Sequence, residues 1–147
     1  MKDFVNVGLL GAGTVGGGVL KVLEKNAEKI AKEVGKPVRI TKVLDRHVDR
    51  LKQEYGDKYI FTDNADEVLE DKDIDIIVEL LGREHPAKEF IARAFANGKH
   101  VVTANKDVLA KFGAELFPLA HEHNCDFMFE ASVCGGIPIL SLIHISE

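Results

Sequence analysis

Short, nearly continuous apolar runs alternate along the chain with longer stretches in which apolar residues recur every three or four positions. The runs are residues 4–10 (FVNVGLL), 38–45 (VRITKVLD), 73–82 (DIDIIVELLG), 99–104 (KHVVTA) and 125–130 (CDFMFE), with a brief extended segment at 58–61 (KYIF). Runs of that length, bounded by Gly, Asp and Asn, predict strands, and the nearly continuous apolar centre of DIDIIVELLG predicts one buried on both faces of a parallel sheet. Between them the period near 3.6 predicts helices. A long one follows the glycines at 11–18, with Val15, Val19, Val22, Leu23, Ile30 and Val34 on its apolar face. Short ones lie around 50–55 and 63–69, the latter capped by Asp63 or Asn64. Another runs over 87–98, opened by His85-Pro86 and stopped by Gly98. The pattern at 105–124 is helical but interrupted by Gly113 and Pro118. Strand and helix alternate throughout, which predicts an α/β fold built on a mostly parallel sheet.

Past Glu130 the pattern changes. Gly135-Gly136-Ile137-Pro138 reads as a turn into a new helix, and Ile139, Leu140, Leu142, Ile143 and Ile145 have no following element to pack against. The reading is one domain over 1–130 and, over 131–147, the start of a second domain that the chain lacks. The alternative is a terminal element docked back on the first domain or on a second copy.

Composition narrows the function more than the fold. The 147 residues are 46% apolar and 29% charged, ordinary for one globular domain. A net charge of -5, with no clustered basic face, argues against nucleic-acid binding. No apolar run is long enough to span a membrane, and MKDFVNVGLLGAG does not read as a signal peptide. Cys125 and Cys134 form no CxxC pair, which favours free thiols in a reducing, cytoplasmic compartment. His121 and His123 lack a partnering cysteine pair and read as a polar helix end rather than a zinc site.

Gly11-Ala12-Gly13-Thr14-Val15-Gly16 follows a predicted strand and opens a predicted helix, which is the dinucleotide-binding context. Gly11 permits the tight turn, Gly13 the approach of backbone to a pyrophosphate, and Gly16 close helix–strand packing. Amides at Thr14 and Val15 and the helix N-terminus then favour the anion. No GxxxxGK[ST] is present, so a P-loop is excluded. The fold expected is therefore Rossmann-like and doubly wound, with helices on both faces. Asp45 at the end of the second strand suits a ribose 2′-hydroxyl and NAD, whereas Arg46 suits a 2′-phosphate and NADP; the two signals leave the choice open.

In such a sheet ligands bind beyond the carboxyl ends of the strands. Residues 11–16, 80–86, 103–106 and 130–136 should gather there. Lys106 follows a strand end and begins a helix, where a cation opposes the helix dipole. Its placement points to something negative or reactive in front of it, with a solvated lysine as the alternative. Asn105 is a helix-cap candidate. Thr103 is suited to a local hydrogen bond or to a nicotinamide amide. Glu79, on a buried-looking strand, needs backbone donors or a lysine.

These segments together resemble the N-terminal part of homoserine dehydrogenase: GLLGAGTVGGGV at 8–19, DIDIIVELLG at 73–82, GKHVVTANKDVLA at 98–110 and FEASVCGGIPIL at 129–140. TANK followed by FEASV-x-GGIP is highly specific. The resemblance implies an NAD(P)-dependent oxidoreductase of the aspartate pathway that interconverts L-homoserine and L-aspartate 4-semialdehyde by hydride transfer. It implies Gly11, Gly13 and Gly16 at the pyrophosphate, Thr103 and Asn105 on the nicotinamide side, and Lys106 as a catalytic lysine facing the reacting oxygen. Glu130, Val133 and Gly135 resemble a loop that holds a monovalent cation, often sodium, with the carbonyls of Val133 and Gly135 as the main donors. Three positions depart from the family: Gly82-Arg83 where two glycines are frequent, Asp45-Arg46-His47 at the end of strand two, and Cys134 where alanine is common. Arg83 either crowds the nicotinamide edge or points outward. The family continues into a substrate and dimerisation domain, so the chain alone is expected to bind cofactor and turn over poorly or not at all. Its expected partner is a small-molecule substrate within a full-length enzyme, with a homo-oligomer left open. The competing reading is a non-catalytic dinucleotide-binding or interaction module.

Overall fold

The computed structural model describes residues 4–11 and 37–129. Their strands are β1 (Val5–Leu10), β2 (Val38–Leu44), β3 (Ile60–Thr62), β4 (Ile76–Glu79), β5 (His100–Thr103) and β6 (Phe127–Phe129). All pair in parallel, in the order β3-β2-β1-β4-β5-β6. The helices described are α1 (Val48–Tyr55), α2 (Asp66–Leu69), α3 (Ala87–Ala96) and α4 (Lys106–Glu122). The helix expected after the first strand lies outside the described residues.

Alternation along the strands divides the core into two layers. Val5, Val7 and Leu9 of β1, with Ile76 and Val78 of β4 and Val102 of β5, face α1 through Leu51, Val48 and Tyr55. Leu10, Ile77 and Val101 face the other way, onto Val68 and Leu69 of α2, Ile91 and Phe95 of α3, and Val108 and Leu116 of α4. Helices therefore cover both faces, and β1 and β4 are buried along their whole length. At the edge away from the strand C-termini, buried Lys99 donates to the carbonyls of Ile74 (2.9 Å) and Asp71. Buried Asn6 donates to the carbonyl of Asp73 at 2.8 Å there. These bonds satisfy polar groups whose burial would otherwise be costly.

Two local expectations shift. The helix predicted from Asp63 begins at Asp66, because Asn64 uses its side-chain oxygen to accept from the Asp66 amide (3.0 Å) in a turn just ahead of it. The interruption predicted in the 105–124 pattern is absent: α4 runs unbroken through Gly113 and Pro118. Pro118 is exposed, and so is Ala114, whose carbonyl loses its helical donor on the side open to water. Gly113 is buried, and a Cβ there would make ordinary contact with the Phe117 ring one turn on, at 3.7 Å.

The strand order reverses between β1 and β4. From β1 the chain steps outward to β2 and β3, then returns to β4 and steps the other way to β5 and β6. Register aligns the carboxyl ends: Leu10 lies beside Leu44 and Glu79, Glu79 beside Thr103, and Thr103 beside Phe129. A crevice at the β1/β4 reversal is where an open doubly wound sheet accommodates a ligand.

Candidate dinucleotide-binding crevice

Gly11 marks the floor of this crevice. Its amide donates to the Leu44 carbonyl (2.7 Å), so the chain leaves β1 still tied to β2. It turns there with φ at 94°, a conformation open to glycine and strained for other residues. A Cβ at this position would lie 3.3 Å from the Leu80 carbonyl oxygen and 3.3 Å from Leu81 Cδ2. The turn after β1 thus passes close against the segment after β4, and the absent side chain keeps backbone available at the crevice. Gly13, Thr14, Val15 and Gly16, the rest of the fingerprint, lie outside the described residues.

Beside it, Glu79 ends β4 with no exposed surface. Period-two alternation puts it on the same face as Ile77, and its register partner Thr103 on the same face as Val101. Thr103 Oγ1 donates to Glu79 Oε1 at 2.6 Å, and the Leu81 amide donates to Oε2 at 2.7 Å. The Gly82 amide and the Asn105 side chain stand near the same carboxylate. Burial pushes the Glu79 carboxyl above its ordinary range, and the polar groups around it, Thr103 foremost, pull it part of the way back. The sequence requirement for backbone donors is met here, while the second acceptable partner, a lysine, is not used.

Thr103 and Asn105 are buried and engaged with one another. The Asn105 amide donates to Thr103 Oγ1 at 3.0 Å. The Asn105 side chain accepts from the Val108 amide at 3.1 Å, so it caps α4 as expected, and donates to the Arg83 carbonyl at 2.6 Å. Thr103 makes the local hydrogen bond expected of it, accepting from the Asn105 amide. Arg83 is exposed, its carbonyl held by Asn105. Lys106, the first residue of α4, is exposed, and its ammonium has no hydrogen-bond or ion-pair partner among the described residues. A cation at that end of a 17-residue helix opposes the helix dipole, with Asp107 next to it as the acid of the first turn.

Asp45 and Arg46 stand further along the same edge. The Asp45 amide donates to the Thr62 carbonyl (3.0 Å), and its carboxylate accepts from the His47 amide (2.8 Å). Arg46 lines an open cavity of about 370 Å³ with Lys52, Thr62 and Asp63. The structure therefore gathers Gly11, Asp45, Thr103, Asn105 and Lys106 at one edge of the sheet, with Arg46 at its far end. Glu130, Val133, Gly135 and Cys134 lie outside the described residues. Among the described residues no group of three or more His, Cys, Asp or Glu could hold a metal ion. None of their helices is long and apolar enough to cross a membrane.

The residue that sequence reasoning undervalued is Glu79. Its signal was a lone acid closing an otherwise apolar strand, but the neighbours that make it central come from other parts of the chain.

Comparison with known proteins agrees with this geometry. Residues 11–130 match the family model described as homoserine dehydrogenase, NAD binding domain. The homoserine dehydrogenase of Bacillus subtilis is 43% identical over 140 residues, which cover 95% of this chain and 32% of that protein. That of Neisseria gonorrhoeae is 45% identical over 140 residues, again 95% of this chain and 32% of the relative. The crystal structure of a homoserine dehydrogenase from Thiobacillus denitrificans superposes with a TM-score of 0.80 at 44% identity, covering 87% of this chain and 30% of that one. The chain spans about a third of the length of these relatives.

Proposed function

The chain belongs to the homoserine dehydrogenase NAD-binding domain family, and from that premise we propose that it forms the cofactor side of an oxidoreductase interconverting L-homoserine and L-aspartate 4-semialdehyde. The observation that carries this reading is the glycine turn at the β1/β4 reversal, where a Cβ would meet the Leu80 carbonyl. Such a turn fits a nicotinamide dinucleotide, whose pyrophosphate needs bare backbone at close range. Gly11, with Gly13, Thr14, Val15 and Gly16, would hold the phosphates, and Thr103 and Asn105 would shape the nicotinamide side. The bound cofactor supplies the hydride chemistry.

Lys106 is the group left to act on substrate. An ammonium at that edge polarises a carbonyl oxygen and holds a proton beside it as negative charge develops. Asn105 fixes its position by capping the helix it begins. The domain assigned to 1–130 carries these residues, and the family match over 11–130 supports that boundary. Glu130 and the carbonyls of Val133 and Gly135 form the proposed sodium site, on the strength of the FEASV-x-GGIP resemblance alone. Cytoplasmic residence and self-association belong to the same proposal.

Homoserine-dependent reduction of NAD⁺ and NADP⁺ tests the reading. The 147-residue chain should give little or no turnover, since it spans about a third of its relatives. Substantial turnover would contradict the view that residues outside this chain complete the site. Cofactor choice is tested by titrating NADH and NADPH separately. Arg46 on its cavity favours the 2′-phosphate, and Arg46→Ala should weaken NADPH binding while sparing NADH. Equal loss for both would remove Arg46 from that role.

A further inference from the structure

Glu79 lies between the two loops that flank the crevice and touches both. On one side the Leu81 amide, after β4, donates to its carboxylate; on the other Thr103 Oγ1, at the end of β5, does the same. The two loops are also joined by Asn105 Nδ2 donating to the Arg83 carbonyl. Thr103 Oγ1 in turn accepts from the Asn105 amide, the residue before Lys106. A chain of hydrogen bonds therefore runs from the loop beside Gly11, through one buried carboxylate, to the start of α4. We propose that Glu79 is a positioning residue for the crevice: its carboxylate couples the loop after β4 to the loop after β5 and thereby sets Lys106 relative to the glycine turn.

Both groups that hydrogen-bond the carboxylate are donors, so the ionised form satisfies both. A protonated Glu79 would bring a third hydrogen to these two contacts unless the Thr103 hydroxyl turns to accept it. The charged side chains on the same loops are Arg83, Glu84 and Lys106, each exposed or half-buried, together with His85 beyond them. β1 carries no charged residue, and the imidazole of β5, His100, stands at the other end of the strand. Among the described residues the carboxylate is thus held by hydrogen bonds and not by an ion pair.

The proposal rests on the proposed function for its purpose, though not for its test. Amide spectra of the 147-residue chain are recorded for wild type, Thr103→Val and Glu79→Gln. Thr103→Val removes the bond on one loop only. It should accelerate hydrogen exchange about tenfold at Leu81 and Gly82 on the other loop, the loss of one bond to a charged acceptor. In wild type the amides of Leu81, Gly82 and Asn105 should titrate with one shared midpoint, which Glu79→Gln abolishes. NADPH affinity should fall about tenfold in Glu79→Gln and lose its acid-side pH dependence. If Glu79→Gln does not fold, Thr103→Val carries the test. Unchanged Leu81 and Gly82 amides in Thr103→Val, or separate midpoints for the two loops, would overturn the coupling. If wild type binds neither NADPH nor NADH, the proposed function falls while the amide measurements still decide the role of Glu79.

Discussion

Asn105 performs two tasks with one amide group: its oxygen caps α4 at the Val108 amide, and its nitrogen ties down the Arg83 carbonyl. Asn105→Ala should cost about 1–2 kcal/mol in urea unfolding, the scale of a lost cap plus a lost hydrogen bond. Asn105→Asp keeps the cap but sets a buried carboxylate oxygen against the Arg83 carbonyl, so it should cost at least as much. Lys106 behaves differently because it is exposed and unpaired among the described residues. Lys106→Met should leave stability within a few tenths of a kcal/mol of wild type or slightly above it, since a cation leaves the positive end of a helix. NADPH affinity should change little, and turnover should be impaired only in a full-length enzyme; undiminished turnover there would refute the catalytic role. For Glu79 the folded-state carboxyl sits above its ordinary value, chiefly through burial. Between the unfolded and folded values the native chain holds a proton that the unfolded chain has released. This group's contribution to stability is therefore greatest below the ordinary carboxylate range and declines as pH rises through the raised value. Urea midpoints measured from acid to neutral pH should contain this component, and Glu79→Gln should remove it.

Elements were legible where a strong period met a clear stop. The apolar run ending in Glu79 and the helix ending at Asn97-Gly98 appear with shifts of a few residues. The misjudged points were those where solvent or a neighbouring turn overrides local propensity, as at Pro118 on an exposed face and Asn64 ahead of α2. Gly8 shows what the apolar pattern hides. It sits within β1, and a Cβ there would lie 2.8 Å from Val68 Cγ1 and 3.1 Å from Ile74 Cδ1. α2 packs onto β1 at the distance that a missing side chain allows. Gly8→Ala should destabilise by about 1–3 kcal/mol, read as a lower urea midpoint with an unchanged slope.

At the scale of the molecule, sheet order makes the site. The sequence placed Gly11, Asp45, Thr103 and Lys106 after strand ends, but nothing local in it aligns Glu79 with Leu10 and Thr103; register does. That is why the glycine fingerprint and Lys106 could be singled out from the chain alone, whereas the shared carboxylate between the two loops could not. The family match and the geometry meet at the same edge of the sheet. The most direct test of the account is calorimetric titration of NADPH and NADH into the folded 147-residue chain and into Gly11→Val, whose side chain would strain the turn and press on Leu80. The account predicts saturable one-to-one binding of at least one cofactor by wild type and its loss in a folded Gly11→Val. A folded wild-type chain that binds neither cofactor, or a Gly11→Val chain that binds as well as wild type, would contradict it.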